Sequence, residues 1–262
     1  MTDYPRLSLI IPGFNEERNI GAMLEDLSRE SFAQYHRHHL EIIVVDDGST
    51  DKMAQVAESK AGLFENLRIL KLSQNLGKGR AIARAVDQST GDIVGFVDGD
   101  NTFALSAVER FYSEVRAGAH VVIGNRRSPD TLFRVQASAI PYIHYRAFVG
   151  ERFNDLVRAL TGLAVVDTQC GFKMFSREAA ERCFSRILVG GFVFDVEVLL
   201  TARQAGYAIT SLPVRLYYKD SERMSDVASL AIKVSQSFAR VVINHRAGRY
   251  RTPLVSAAKP SG

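Results

Sequence analysis

GDIVGFVDGDNTF, residues 91–103, joins an apolar run to two carboxylates that follow it directly. The run 91–97 is typical of a buried strand, and Asp98 and Asp100 come next with only Gly99 between them. Ionised groups at the edge of a core are costly to desolvate, and two like charges this close repel each other. A divalent cation such as Mg²⁺ or Mn²⁺ relieves both costs, because it prefers carboxylate and water oxygens as ligands. In isolation the pattern also fits a solvated turn, but its position after a buried strand favours a metal site.

The residues on either side of this stretch alternate between strand and helix patterns. Short runs rich in Val, Ile and Leu alternate with longer segments in which apolar residues recur every three or four positions. Continuous apolar strands are buried on both faces, which indicates an α/β fold with a mostly parallel sheet flanked by helices. Ser49 or Thr50 is expected to cap the second helix. The predicted strands are 6–12, 40–47, 67–72, 91–97 and 119–124, and the predicted helices are 16–34, 51–61, 78–88 and 105–116.

The second half of the chain is less regular. Residues 128–165 carry scattered aromatic side chains, and we expect helical segments there without defined bounds. The remaining predicted elements are a strand at 170–175, a short helix capped by Ser176, a helix over 194–204 closed by Gly206, and an extended segment over 207–218 with Pro213 at an edge or a bend.

The overall composition is that of an ordinary soluble globular protein. The chain has 262 residues, of which 46% are hydrophobic and 24% charged, and this length is ample for a core. Its longest apolar runs are far shorter than the roughly 20 residues that a membrane span needs, and the N-terminus does not resemble a signal peptide. Cys170 and Cys183 have no metal-type spacing and are expected to be free thiols. We therefore expect a cytoplasmic protein, either free or peripheral on the cytoplasmic face of a membrane.

The C-terminal segment differs from the rest in charge. From Arg223 onward the chain carries seven Lys or Arg and one Asp, whereas the preceding part has a small acidic excess. The net charge of +4 is therefore no argument for nucleic-acid binding, and we expect no nucleic-acid partner. Residues 225–246 have the spacing of an amphipathic helix that lies on an anionic membrane leaflet or packs its apolar face on the domain, and both can hold if its charges face lipid. We divide the chain into a domain at 1–222 and a basic amphipathic helix with a tail at 223–262.

A polar loop follows each of the five strands predicted in the first half. Ligands bind at the carboxyl ends of the strands in an open parallel sheet, so these loops are expected to form one ligand edge. The sequence has neither GxGxxG after the first strand nor GxxxxGK[ST], which disfavours dinucleotide-binding and P-loop folds. The loops are PGFNE (12–16), DDGS (46–49), QNLGKG (74–79), DGD (98–100) and GNRR (124–127).

These motifs, in this order and at this spacing, resemble family 2 glycosyltransferases of the GT-A fold. The matching segments are PGFNEERNI, EIIVVDDGSTD, NLGKGRAIARA, VDGDN and GNRR. The second half narrows the resemblance, because DTQCGFKMFSREAA (167–180), FVFDVEVLLTARQAGY (192–207) and LPV (212–214) look like dolichyl-phosphate glucosyltransferases and their bacterial relatives. Dolichyl-phosphate or other polyprenyl-phosphate mannosyltransferases are the nearest cousins. Since the chain has no Trp, it lacks the QxxRW signature of processive polysaccharide synthases.

The resemblance implies roles for the matching residues. Asp98 and Asp100 would hold the metal that bridges the pyrophosphate of the donor. Arg126 and Arg146 would meet the acceptor phosphate. Thr102 stands where mannosyltransferase relatives offer a side-chain amide, which leaves water to complete the ligands of the metal. The residues implied in donor binding are Pro12, Phe14, Asn15, Glu16, Asp47 (on the base), Lys78, Asp98, Gly99, Asp100, and Lys219 and Arg223, one of which would replace a glycine-containing loop of the relatives.

The implied reaction is the metal-dependent, inverting transfer of a hexose from a nucleotide sugar to a polyprenyl or dolichyl phosphate, with UDP-glucose favoured and GDP-mannose next. The acceptor phosphate is already an anion, so arginines that position it suffice without a strong general base. The implied partners are the nucleotide sugar, the lipid, and a membrane surface or membrane protein. Asp195 and Glu197 fit either carboxylates facing the acceptor or the acidic preference of a helix N-terminus. The alternatives are a glycosyltransferase with another acceptor and a non-catalytic relative that binds nucleotide sugars.

Overall fold

The structure, a computed structural model, describes residues 4–137, 140–185, 187–218 and 227–250. Within these ranges strands and helices alternate through the first half of the chain, as predicted. The strands are β1 (Leu7–Gly13), β2 (Leu40–Asp46), β3 (Leu67–Lys71), β4 (Ile93–Val97), β5 (Val121–Asn125), β6 (Leu132–Val135), β7 (Phe172–Ser176), β8 (Ile209–Pro213) and β9 (Arg215–Tyr218). The helices are α1 (Glu17–Arg29), α2 (Ser31–Tyr35), α3 (Met53–Ser59), α4 (Lys78–Gln88), α5 (Ala107–Arg116), α6 (Ile140–Thr161), α7 (Arg177–Phe184), α8 (Phe194–Gln204) and α9 (Val227–Arg246), with short 3-10 turns at Arg37–His39 and Ala61–Leu63.

The central sheet of the described residues has the strand order β3-β2-β1-β4-β7-β5-β8. Neighbouring strands run parallel except β7, which is antiparallel to both β4 and β5. Gly13 at the end of β1 lies opposite Asp46 at the end of β2, so the polar loops emerge at one edge. The predicted mostly parallel α/β fold is confirmed. β7 is the exception because the chain returns to the sheet at this same edge, where Gly171 O accepts from Asp98 N, and therefore re-enters in the opposite direction.

The two faces of the sheet contribute to two different hydrophobic clusters. In β1, Ile10 belongs to one cluster, whereas Leu9 and Ile11 belong to the other, because successive side chains of a strand point to opposite faces. Helices α4, α7, α8 and α9 contribute to the first cluster, and α1, α3 and α5 to the second. Cys170 and Cys183 are buried free thiols within these clusters, as predicted. With both faces covered, the strand ends remain as the place where ligands can enter.

The C-terminal helix α9 packs its apolar side into the first cluster. Phe238 and Val241 are buried there, and the Phe238 ring meets Phe153 of α6 edge-on with 5.2 Å between centroids. Tyr250, just beyond the end of α9, is buried as well. The packing alternative therefore holds for this helix, while the predicted boundary at residues 222 and 223 lies outside the described residues. Across the described ranges, no helix is both long enough and apolar enough to cross a membrane.

The start of α3 differs from its predicted cap. The helix begins at Met53 with Lys52 in the N-cap position, so neither Ser49 nor Thr50 caps it. Asp51 instead accepts a hydrogen bond from the Met53 backbone N–H at 3.0 Å. The two residues predicted as caps belong to the loop after β2 and are used to hold the site described below.

A small parallel sheet of β6 and β9 lies beside the loop that follows β4. Tyr217 N of β9 donates to Thr102 O at 2.8 Å, and Phe103 forms an isolated bridge to Leu216. Residues 128–165 therefore contain a strand as well as the expected helix. The sequence predicted no strand there because β6 is exposed along most of its length and lacks the apolar run of a buried strand.

Candidate active site

Asp98 and Asp100 lie just after β4, in a loop that passes close to Gly171 and Pro12. Asp98 N donates to Gly171 O at 3.0 Å, which fixes the loop to the residue before β7. A Cβ on Gly171 would lie 2.1 Å from Asp98 Oδ2, and a Cβ on Gly99 would lie 2.9 Å from Pro12 O. Only a glycine at position 171 leaves the Asp98 carboxylate in its place.

The two carboxylates favour a nearby cation. Asp100 Oδ1 accepts a hydrogen bond from Thr102 N at 2.9 Å. Burial, and then the charge of Asp98, raise the pKa of Asp100, because its charged form is poorly solvated and repelled by a like charge. Oxygen donors of this kind fit Mg²⁺ or Mn²⁺. No group of three or more His, Cys, Asp or Glu side chains is arranged as a metal site in the described part of the chain.

Two lysines stand beside and behind the carboxylates. Lys78, at the start of α4, forms an ion pair with Asp98 Oδ1. Burial opposes the charge of Lys78, but the carboxylates of Asp98 and Asp195 outweigh burial and raise its pKa. Lys173 is fully buried and donates to Asp195 Oδ1 at 2.5 Å and to Cys170 O at 2.6 Å. Carboxylates and ammonium groups therefore alternate from the loop after β4 into the core.

The loop after β1 is held against the loop after β2. Asn15 adopts a left-handed φ of +60°; its Oδ1 accepts from Thr50 N at 2.8 Å and its backbone N donates to Ser49 Oγ at 2.9 Å. Phe14 remains 44% exposed next to it, and Glu16 is half-buried just before α1. Asn15 thus shapes this loop, while Phe14 presents an open aromatic surface at the ligand edge.

Asp47 fixes the loop that leads to Lys78. It is buried, and its two oxygens accept hydrogen bonds from Leu76 N at 2.8 Å and Gly77 N at 2.9 Å. Burial raises the pKa of Asp47 despite these bonds. Gly77 has φ +87°, and a Cβ there would lie 2.9 Å from Gly190 O, so this turn requires glycine. The contact of Asp47 with a nucleotide base stays a prediction.

Arg126 forms a bidentate ion pair with Asp167. Its Nε and Nη2 each donate to Asp167 at 2.8 Å, and its backbone N donates to the same carboxylate at 2.9 Å. Burial alone would raise the pKa of Asp167, but Arg126 outweighs burial and lowers it. Asn154 of α6 steadies the same loop by accepting from Thr168 N at 3.1 Å and donating to Val166 O at 2.6 Å. Asp167 does not use all the N–H groups of Arg126, whose contact with an acceptor phosphate stays a prediction.

The two carboxylates of α8 have different surroundings. Asp195 is buried and accepts the hydrogen bond from Lys173 described above. Glu197 is buried and accepts hydrogen bonds from Val189 N at 3.0 Å, Gly190 N at 3.2 Å and Tyr250 Oη at 2.8 Å. The interpretation of Glu197 as a carboxylate facing the acceptor is therefore wrong, because its oxygens join a loop and the C-terminal segment to α8.

Some predicted residues lie outside the described part of the chain, and some residues of the site were not predicted. Lys219, Arg223 and the side chain of Arg146 fall outside it. Sequence reasoning assigned no role to the acid, the glycine and the lysine within DTQCGFK (167–173). The signal for Gly171 and Lys173 was their position within the otherwise apolar predicted strand 170–175. Nothing in the sequence marks Asn154, which acts through contacts with residues more than ten positions away.

Comparison with known proteins supports the family. The model for glycosyl transferase family 2 matches residues 8–184. The chain is 30% identical over 256 residues to a dolichyl-phosphate beta-glucosyltransferase of Trichomonas vaginalis, covering 94% of this chain and 75% of that protein. It is also 30% identical over 262 residues to a dolichyl-phosphate beta-glucosyltransferase of Saccharomyces cerevisiae, covering 94% of this chain and 76% of that protein.

Among solved structures, one similar fold is that of glucosyl-3-phosphoglycerate synthase from Mycobacterium tuberculosis in complex with Mn²⁺, UDP and phosphoglyceric acid. The TM-score is 0.64 at 22% identity, over 96% of this chain and 80% of that chain. At this identity the likeness concerns the fold alone, which is GT-A. The strand order and the carboxylate pair at the end of β4 fit this fold, and the family model matches residues 8–184. The chain therefore belongs to glycosyl transferase family 2 and is a transferase enzyme.

Proposed function

We propose that the protein transfers a hexose from a nucleotide sugar to a polyprenyl or dolichyl phosphate, in a metal-dependent reaction that inverts the anomeric centre. The observation that carries this proposal is the pair Asp98 and Asp100 at the carboxyl end of β4, with Lys78 beside it. UDP-glucose is the favoured donor, since two relatives are named dolichyl-phosphate glucosyltransferases and the structural neighbour contains UDP and Mn²⁺. GDP-mannose is the second candidate.

The donor would lie along the ligand edge. Asp98 and Asp100 would hold Mg²⁺ or Mn²⁺, which when bound would neutralise the charge that develops on the leaving diphosphate. Lys78 adds a second positive charge at the same place, at the end of a loop whose backbone is bound by Asp47. The exposed ring of Phe14 suits stacking on a base. Pro12, Asn15, Glu16 and Gly99 shape the backbone around it, and Lys219 and Arg223 stay proposals from the resemblance alone.

The acceptor phosphate would attack without a strong general base. It is an anion at neutral pH, so its oxygen forms the new bond to the anomeric carbon while the bond to the nucleoside diphosphate breaks and the diphosphate keeps the electron pair. Arg126 supports this step, because the bidentate bond with Asp167 orients its remaining N–H groups before a phosphate arrives. Arg146 is proposed to assist. Attack from the face opposite the diphosphate inverts the anomeric centre.

The test is a donor screen with purified protein and a polyprenyl phosphate in detergent. Radiolabelled UDP-glucose, GDP-mannose, UDP-galactose and UDP-N-acetylglucosamine are compared for label that enters the organic phase. We expect glucose transfer that needs Mg²⁺ or Mn²⁺ and is lost in the double variant Asp98→Asn, Asp100→Asn. Asp155→Asn, which alters an exposed carboxylate on α6, is the matched control.

Each outcome of the screen has a separate meaning. Transfer in excess chelator, or full activity of the double variant, would refute the metal role. Transfer from another donor would correct the sugar. A folded protein that forms no lipid product from any of the four donors would refute the lipid acceptor and favour a different acceptor or a non-catalytic binding role.

We further propose that the protein works at the cytoplasmic face of a membrane, where its lipid acceptor resides. Arg240 and Arg246 of α9 are exposed, and Ile243 between them is 64% exposed. Positive side chains around an exposed apolar one suit an anionic leaflet. The double variant Arg240→Glu, Arg246→Glu should bind vesicles containing phosphatidylserine more weakly than the wild type; unchanged binding would refute this role of α9. Deletion of the tail would not test it, because Phe238 is part of the core.

A further inference from the structure

Lys78 and a divalent cation would compete for the same oxygen. Lys78 Nζ forms its ion pair with Oδ1 of Asp98, which is one of the two carboxylates that fit the metal. Two cations on one carboxylate repel each other strongly at contact distance. A metal held by this oxygen would displace the ammonium group of Lys78, which would then need another partner.

The surroundings of Lys78 limit where its ammonium group can move. Its side chain is 24% exposed, and Nζ lies 5.8 Å from the centroid of the Phe96 ring and 5.7 Å from that of Phe194. Asp195 attracts it from the inner side, and Asp195 is itself held by Lys173 at 2.5 Å. If it moved into solvent, the ammonium group would lose its contacts with the carboxylate of Asp98 and with the two aromatic rings. A new partner close to Asp98 is therefore favoured.

We propose that Lys78 is an exchangeable counter-cation that couples the binding of the metal to the binding of the donor diphosphate. Asp98 would exchange Lys78 for the metal at Oδ1, and Lys78 would then pair with oxygens of the diphosphate. Metal alone binds weakly, because Lys78 remains opposite it without a new partner. Metal and nucleoside diphosphate together would bind more tightly than either alone, because the negative charge of the diphosphate would give the displaced ammonium group of Lys78 a new partner. This inference rests on the proposed function.

The proposed coupling between metal and nucleotide can be measured as a ratio of affinities. UDP must raise the affinity for Mn²⁺ by the same factor by which Mn²⁺ raises the affinity for UDP. Lys78→Met keeps most of the aliphatic stem but removes the charge. The variant should therefore bind Mn²⁺ alone more tightly, bind UDP alone more weakly, and show a smaller coupling factor.

The experiment titrates Mn²⁺ into the full chain with and without saturating UDP, following the electron paramagnetic resonance signal of free aquated Mn²⁺. Repulsion at contact distance leads us to expect Lys78→Met to bind Mn²⁺ alone at least about tenfold more tightly than the wild type. Lys71→Met is the matched control: Lys71 pairs with Glu58 at 2.7 Å on the surface, so this variant loses the same charge away from the site. It should match the wild type in both titrations.

The result that overturns the inference is a Lys78→Met protein with wild-type Mn²⁺ affinity and coupling, provided its circular dichroism and unfolding midpoint are unchanged. Should Lys78→Met fail to fold, Lys78→Gln gives the same test, with tighter binding of Mn²⁺ alone supporting the inference and unchanged binding refuting it. A wild-type protein that binds neither Mn²⁺ nor UDP would refute the proposed function together with this inference. Wild-type binding of both ligands with no effect of Lys78 would refute this inference alone.

Discussion

Gly171→Ala tests the placement of Asp98 by adding a single methyl group. The new Cβ would lie 2.1 Å from Asp98 Oδ2 and 2.3 Å from Cγ, whereas ordinary contact begins near 3.4 Å. Gly171 is not among the glycines of positive φ, so alanine adds no left-handed strain and the effect falls on the carboxylate. The difference between 3.4 and 2.1 Å means that Asp98 must move by about 1.3 Å.

A displacement of this size is large for a catalytic group. Misplacement by about 1 Å can cost on the order of 100-fold in rate, which corresponds to about 2.7 kcal/mol of transition-state stabilisation. We expect glucose transfer from UDP-glucose to fall by about that factor, and the affinity for Mn²⁺ to fall with it. Gly62→Ala is the control, because nothing lies within 4 Å of the Cβ it would add.

The assays are incorporation of radiolabelled glucose into lipid, Mn²⁺ titration and circular dichroism on the wild type and both variants. Wild-type transfer and Mn²⁺ affinity in Gly171→Ala would refute the reasoning, since the Asp98 carboxylate would then tolerate the added group. A loss that also appeared in Gly62→Ala would show that the effect does not come from contact with Asp98.

The other predictions concern stability. Lys173→Met removes the hydrogen-bonded cation of the buried Asp195 carboxylate and should lower the free energy of unfolding in urea by about 3–5 kcal/mol. An unchanged midpoint would contradict this. Tyr250→Phe removes the 2.8 Å hydrogen bond to buried Glu197 and should lower the free energy of unfolding by about 1–3 kcal/mol. The KM for the donor should stay unchanged, and a raised KM would contradict a purely structural role. Burial would raise the pKa of Asp167, but Arg126 outweighs burial and lowers this pKa below the ordinary 3.8. The ion pair therefore stabilises the fold above pH 3.8, and its contribution is lost as the pH falls through the lowered pKa. The destabilisation by Asp167→Asn in chemical denaturation should therefore be largest near neutral pH and shrink in acid below 3.8; an effect independent of pH would contradict the ion pair.

The parallel part of the sheet could be predicted because its strands are continuous apolar runs buried on both faces. The helices predicted over 78–88 and 194–204 coincide with α4 and α8, and Ser176 caps α7 by accepting from Ala179 N. Amphipathic spacing and a capping side chain are local signals, so they can be recognised without knowledge of the fold. Proline is a local signal as well, and Pro213 ends β8 at the edge of the sheet, as predicted.

The direction of β7 and the pair β6–β9 could not be predicted in the same way. The residues of β7 are apolar like those of a parallel strand, and its direction depends on the edge at which the chain re-enters the sheet. The strands β6 and β9 are short and largely exposed or half-buried, so their pairing is decided by neighbours rather than by a hydrophobic pattern.

The sequence by itself determined the α/β sheet, the ligand edge and the presence of Asp98 and Asp100 at that edge, because strand ends and residue types are local properties. Only the tertiary structure decided which charged groups meet. Asp167 is 41 residues from the arginine that binds it, and Tyr250 is 53 residues from its buried carboxylate. Such pairings depend on distance and burial in the folded chain, since these set both the strength of an ion pair and the cost of leaving a charge alone. That is why DGD could be recognised as a metal motif, whereas the contacts of Asp98 with Lys78 and Gly171 required the fold.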